Sequence, residues 1–233
     1  MEHESSILYE PFNKYVWRHA LGVDAPDHVV MALLVLVISC IIFPLAARRI
    51  RRHNPGPIQQ TFELVVEGLK GMLRDIIGHD GEKFLPMIGA FTVFIFLSNI
   101  FGLFYFLAPP TSSPNTTFAL SITAFLYYNF QGIRHQGFLH YFKHFAGPVW
   151  WLAPLMFPIE IVGNCARMLS LSMRLFGNIF GEHTATGIFM GLIPIVVPWP
   201  MMALGIFGAL LQTFVFIMLT MVYISGAVAA EEH

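Results

Sequence analysis

Charge is scarce in this chain: 12% of its 233 residues are Asp, Glu, Lys or Arg, while 56% are hydrophobic. Soluble domains carry about 25% charged residues, so with a mean hydropathy of +0.65 the composition points to a membrane protein. Basic residues are not in excess either. The net charge of −1 argues against a nucleic-acid partner. Cysteine is limited to Cys40 and Cys165, which lie far apart in two apolar runs. That excludes a disulfide framework and a paired-thiolate metal site. There is no Gly-x-Ser-x-Gly, no His-Glu-x-x-His and no pair of intramembrane aspartates, which argues against an intramembrane hydrolase. No internal repeat or matching pair of broken helices supports a secondary transporter. The first 27 residues are polar, without a short apolar core and cleavage site, so no cleavable signal peptide is expected.

What the chain does have is apolar runs of membrane length. Residues 28–47 are about 20 apolar positions, enough at 1.5 Å each to cross a hydrocarbon core of about 30 Å. Arg48, Arg49, Arg51 and Arg52 follow, which predicts a cytoplasmic end there and an N-terminus outside. Residues 57–78 start at Pro57 and set Phe62, Leu64, Val65, Leu69, Leu73 and Ile76 at helical spacing among charges. This predicts an amphipathic helix on the cytoplasmic surface. Residues 84–108 read as a second span, 109–117 as an outer loop without Lys or Arg, and 118–133 as the return. His135, His140 and His144 have no acidic ligand beside them and read as interfacial side chains, with no metal expected.

Two long apolar segments remain, about 149–191 and 193–229, with Pro194, Pro198 and Pro200 between them. Helices of such length fit a bilayer by strong tilting. The expected fold is an all-α membrane protein: about five transmembrane helices and one surface amphipathic helix, with the last two helices long and strongly tilted. Three parts are expected: an interfacial lead-in at 1–27, the first spans and amphipathic helix at 28–145, and the tilted helix pair at 146–233.

The first long segment holds an anomaly. Glu160, Arg167 and Arg174 are seven residues apart, so on a helix they drift about 20° per step and form one stripe. Asn178 lies close to it, Glu182 is offset by about 80°, and His183 falls on the far side. An Arg at a membrane-helix centre costs about 2.5–3.5 kcal/mol on insertion scales, so such a stripe must face protein or a water-filled path. The last helix adds Gly205, Gly208 and Ala209, small enough for close packing, and then Gln212, which can hydrogen-bond across a helix contact.

At these residues the sequence resembles the a subunit of F-type ATP synthases. The resemblance rests on SLSMRLFGN (170–178) and LQTFVFIMLTMVYIS (211–225), supported by NTT at 115–117. It covers roughly residues 80–233 closely and the N-terminal third mainly in layout. It implies two long helices curving against a ring of c subunits, with peripheral-stalk b subunits and the lipid bilayer as further partners. No cofactor and no catalytic site of its own are implied. The family's essential arginine falls on Arg174, its asparagine on Asn178 and its glutamine on Gln212. The acidic residue before the arginine falls on Glu160, and the basic residue between them on Arg167. Asn99 and Asn115 fall on polar positions of the outer proton path. Many members pair a Glu nine residues after the arginine with a His on the last helix, or the reverse; here those positions hold His183 and Gly205. The resemblance leaves open whether Glu182 or His183 relays the proton.

The expected function is therefore a stator subunit offering two proton half-channels, separated by Arg174, in a bacterial inner membrane. The C-terminus is expected in the cytoplasm. A self-contained ion channel or secondary transporter is the competing reading.

Overall fold

The computed structural model describes residues 26–48, 56–103, 109–137, 153–192 and 198–228. The lead-in expected over 1–27, apart from its last two residues, lies outside them, as do His140, His144 and Pro194. Six α-helices and two short 3-10 turns make up the described residues, with no strand among them. The helices are α1 (Asp27–Arg48), α2 (Pro57–Ile77), α3 (Leu85–Phe101), α4 (Pro114–Gln136), α5 (Ala153–Leu192) and α6 (Pro198–Val228).

Local chemistry sets most of these bounds. Pro57 and Pro114 each occupy the first helical position, where a missing N–H is no loss. The second span is shorter than the apolar run that predicts it: α3 stops at Phe101 rather than running to 108. Gly102 follows; its N–H returns to the Asn99 carbonyl, and the Leu103 N–H to that of Ile100. Between α2 and α3, the 3-10 turn Gly81–Phe84 folds back on α2. A Cβ at Gly81 would overlap the Leu73 carbonyl, so only glycine allows that approach. Arg74 and Glu82 form an ion pair across this turn. Beside it Lys83 lies 2.8 Å from Asp80 and holds that carboxyl below its usual range.

Cross-helix contacts fix the topology. Tyr128 and Thr117 of α4 meet Asn164 and Ser172 of α5, so these two helices are antiparallel. Phe91 stacks edge-on against Phe216 at 5.6 Å, while Leu103 approaches Gly205, so α3 and α6 are antiparallel as well. At one end, Ser225 donates to the Ile76 carbonyl and Gln136 to the Ala227 carbonyl, which gathers the C-termini of α2, α4 and α6. We call this the lower end. At the upper end, His28 of α1 lies beside Asn115 and Thr116 of α4 in a shared groove. The result is an up-and-down bundle in which α2 caps the lower end.

Its core is built from Leu69 and Leu73 of α2, Ile88, Phe91 and Ile95 of α3, Leu171 and Leu175 of α5, and Phe216, Ile217, Met221 and Ile224 of α6. Large apolar side chains also line the outside, among them Val37, Ile41, Leu126, Phe130, Leu204 and Phe207. Such an outer surface suits lipid and not water. Two helical stretches, Gly81–Phe101 and Trp199–Val228, are long and apolar enough to cross a membrane.

Candidate functional site

The buried face of α5 carries Asn164, Leu171, Ser172, Leu175 and Ile179, which repeat every three or four residues. Arg167, Arg174 and Asn178 are exposed; Arg167 and Asn178 border α6, at Tyr223 and Gly208, and Arg174 lies between them on the same stripe. Arg174 has no hydrogen bond or ion pair with any described residue. The surface around it is apolar: Leu169, Met173 and Phe180 on α5 are exposed, as are Leu210, Leu211 and Phe214 on α6. A permanent cation thus stands alone in a face fit for lipid or for another apolar protein surface.

Above Arg174 the polar residues turn inward. Glu182 is half-buried and lies directly over Gly205, where any Cβ would overlap its carboxylate and come within 2.6 Å of Leu103 Cδ2. Glu182 and Asn178 also flank Gly208, at 3.7 and 3.6 Å from the position a Cβ would take. The two glycines of α6 thereby form a recess for one carboxylate and one amide. His183 points the other way, to α3, with Nε2 3.2 Å from the position of a Cβ on Gly102. That Nε2 is buried without a hydrogen-bond partner, as is Gln212 Nε2. Asn99 is 2% exposed and accepts a 3.0 Å hydrogen bond from Thr111 at Oδ1, while its Nδ2 is unpaired.

The structure thus sets Asn178 and Glu182 against α6 and His183 against the end of α3, and buries Asn99 and Gln212 within those two helices. Asn115 is not among them. It is exposed in the groove between α1 and α4, beside His28 and Thr116. Among the described residues no group of three His, Cys, Asp or Glu is placed to hold a metal ion.

Below Arg174 lies a second polar group. Arg167 sits over the Tyr223 ring, 5.7 Å from its centroid. Tyr223 packs on Tyr128 at 5.9 Å, and the Tyr128 hydroxyl lies 3.1 Å from Asn164 Oδ1. Glu160, half-buried, stands one turn before Asn164. Sequence reasoning singles out Glu160 and Arg167 here but passes over Asn164, Tyr128 and Tyr223. Asn164 carried a readable signal, an amide in an apolar run one turn from each of two charges. Neither tyrosine did, because aromatic residues are common in helix cores.

Comparison with known proteins finds a matching family. The family model for the ATP synthase A chain matches residues 29–225, further toward the N-terminus than the quoted motifs reach. ATP synthase subunit a of Trichlorobacter lovleyi is 40% identical over 228 residues, covering 97% of this chain and 98% of that one. ATP synthase subunit a 2 of Syntrophotalea carbinolica is 46% identical over 207 residues, covering 89% and 87%. ATP synthase subunit a of Nitratiruptor sp. is 43% identical over 217 residues, covering 91% and 96%. The chain belongs to the ATP synthase A chain family, subunit a, a membrane component of the proton-translocating complex that is not itself catalytic.

Proposed function

We propose that this chain is the stator of the membrane sector and gives protons two half-channels to a ring of c subunits, separated by Arg174. The observation that carries this reading is the Arg174 guanidinium, without a hydrogen bond or ion pair among the described residues, on an exposed apolar face. A lone cation on such a surface needs an anionic partner, and a carboxylate on a rotating ring supplies one in turn from each subunit. The guanidinium does not deprotonate, so no proton passes through it. It favours the ionised form of each arriving carboxylate, which releases its proton on one side and takes one up on the other.

On this reading the upper half-channel runs past Asn99, His183, Glu182, Asn178 and Gln212, with Asn115 nearer its mouth. Glu182 carries the relay, because the recess at Gly205 admits its carboxylate while His183 faces α3. The lower half-channel runs by Glu160 and Arg167, with Asn164 between them. The membrane potential supplies about 2.3 kcal/mol per charge per 100 mV, and the pH difference adds to it. Five helices, α1 and α3 to α6, span the bilayer, and α2 lies on the cytoplasmic surface. At about 1.5 Å per residue the 40-residue α5 is about 60 Å long, twice the hydrocarbon core, so it and α6 tilt strongly. The upper end faces outside a bacterial inner membrane, by the Arg48–Arg52 cluster. The three-part division places 1–27 at the outer interface, 28–145 as frame and 146–233 as ion path. The b subunits bind elsewhere on the frame.

The test is a photo-crosslinking residue at Met173, exposed next to Arg174, with the buried Leu171 as control. In the assembled complex, position 173 captures a ring subunit and position 171 does not. Capture of lipid alone at 173 contradicts a rotor facing this surface and favours a self-contained channel.

A further inference from the structure

Serine and threonine in a membrane helix ordinarily return their hydroxyl to the carbonyl four residues back. Thr92, Ser121, Thr213 and Thr220 do so here, with bonds of 2.7–3.0 Å. Ser98 does not. Its residue is 0% exposed, and its Oγ has no hydrogen-bond partner. Its neighbour Asn99 is 2% exposed with one amide atom bonded to Thr111 and the other unpaired. Turning the amide over only exchanges which of the two atoms is left.

The antiparallel register set by Phe91–Phe216 and Leu103–Gly205 brings Ser98 level with Ala209. Gln212, with its own buried unpaired Nε2, is then within one turn along the axis. Three unsatisfied polar groups thus share one layer between α3 and α6, and each carries a desolvation penalty unless it finds a partner. Buried waters typically make about three hydrogen bonds to groups of this kind.

We infer that Ser98 and Asn99, the latter oriented by Thr111, form an internal water-binding station facing Gln212. It deepens the proposed upper half-channel and rests on that reading for its role in flux, though not for its hydration. The Ser98 hydroxyl both donates and accepts, so it completes the water's coordination whichever way the water turns. Thr111 is a positioning residue: by holding one end of the Asn99 amide it keeps the other end in the layer. Water there continues the polar route from His183, one turn above at Gly102, down to Gln212.

The test uses the whole complex in membrane vesicles, with Cys40 and Cys165 replaced by alanine. Ser98→Cys is compared with Ile95→Cys, a 0% exposed apolar position on the same helix. Each is treated with Ag⁺, then unfolded, and the remaining thiol is counted with a maleimide. The expected result is that Ag⁺ blocks most of the thiol at 98 and little at 95. Pumping by Ser98→Cys is lost with the same dose dependence. Equal protection of both positions overturns the station, and is the result expected if Ser98 and Gln212 bond each other directly. A second variant, Thr111→Val, separates positioning from packing: Ag⁺ access at Ser98→Cys falls although Thr111 is not in the path. Unchanged access overturns the positioning role. The thiol count does not depend on pumping, so a hydrated position 98 in a complex that pumps without Arg174 would sink the functional reading alone.

Discussion

A glycine leaves the room that one carboxylate occupies at the upper site. Glu182 fits between α5 and α6 because Gly205 has no side chain, and a methyl there would overlap the carboxylate and crowd Leu103. Both neighbours are flexible side-chain ends, so the fold survives the substitution while the carboxylate is displaced. Gly205→Ala is therefore expected to assemble normally and slow proton pumping several-fold, read as the initial rate of ATP-driven acidification. Adding Glu182→Asp should recover part of that rate, since the shorter side chain clears the methyl. A Gly205→Ala complex that pumps at the parental rate removes Glu182 from the relay. His183 cannot substitute from its position, because its ring is committed to the α3 side.

At the scale of elements, α5 is held by polar contacts on one face so that the other stays free. Tyr128 to Asn164 and Ser172 to Thr117 fasten α5 to α4 at two levels. A buried neutral hydrogen bond contributes about 1 kcal/mol, and in membrane bundles the measured average is nearer 0.6. Tyr128→Phe leaves Asn164 Oδ1 without this donor and is expected to lower the thermal midpoint in detergent by about 2–4 °C. Combining it with Asn164→Leu should cost less than the sum of the two single changes; strict additivity would show that the two side chains act separately. The helices themselves were legible, since runs of about 20 apolar residues announce spans and a seven-residue spacing of charges announces a stripe. The end of α3 was not, because Gly102 stops the helix within an apolar run that continues past it. The recess at Gly205 and the orphan hydroxyl of Ser98 were hidden for a different reason. Both depend on the register between helices distant in sequence, which no local pattern encodes.

For the whole molecule, the bundle separates two tasks between its surfaces. The interior pairs or layers most of its polar groups, and the exposed face of α5 presents Arg174 among apolar side chains. Such a face is costly for a subunit in lipid alone and becomes useful where a carboxylate is brought to it repeatedly. On the proposed function, two aqueous inlets ending on opposite sides of one guanidinium would make rotation the only route between them. The account is tested most directly by following ATP-driven quenching of a pH-sensitive dye in membranes carrying Arg174→Ala, with assembly checked by copurification of the ring. The predicted result is an intact complex that hydrolyses ATP and builds no proton gradient. A gradient of parental size in those membranes would show that this side chain does not divide the path.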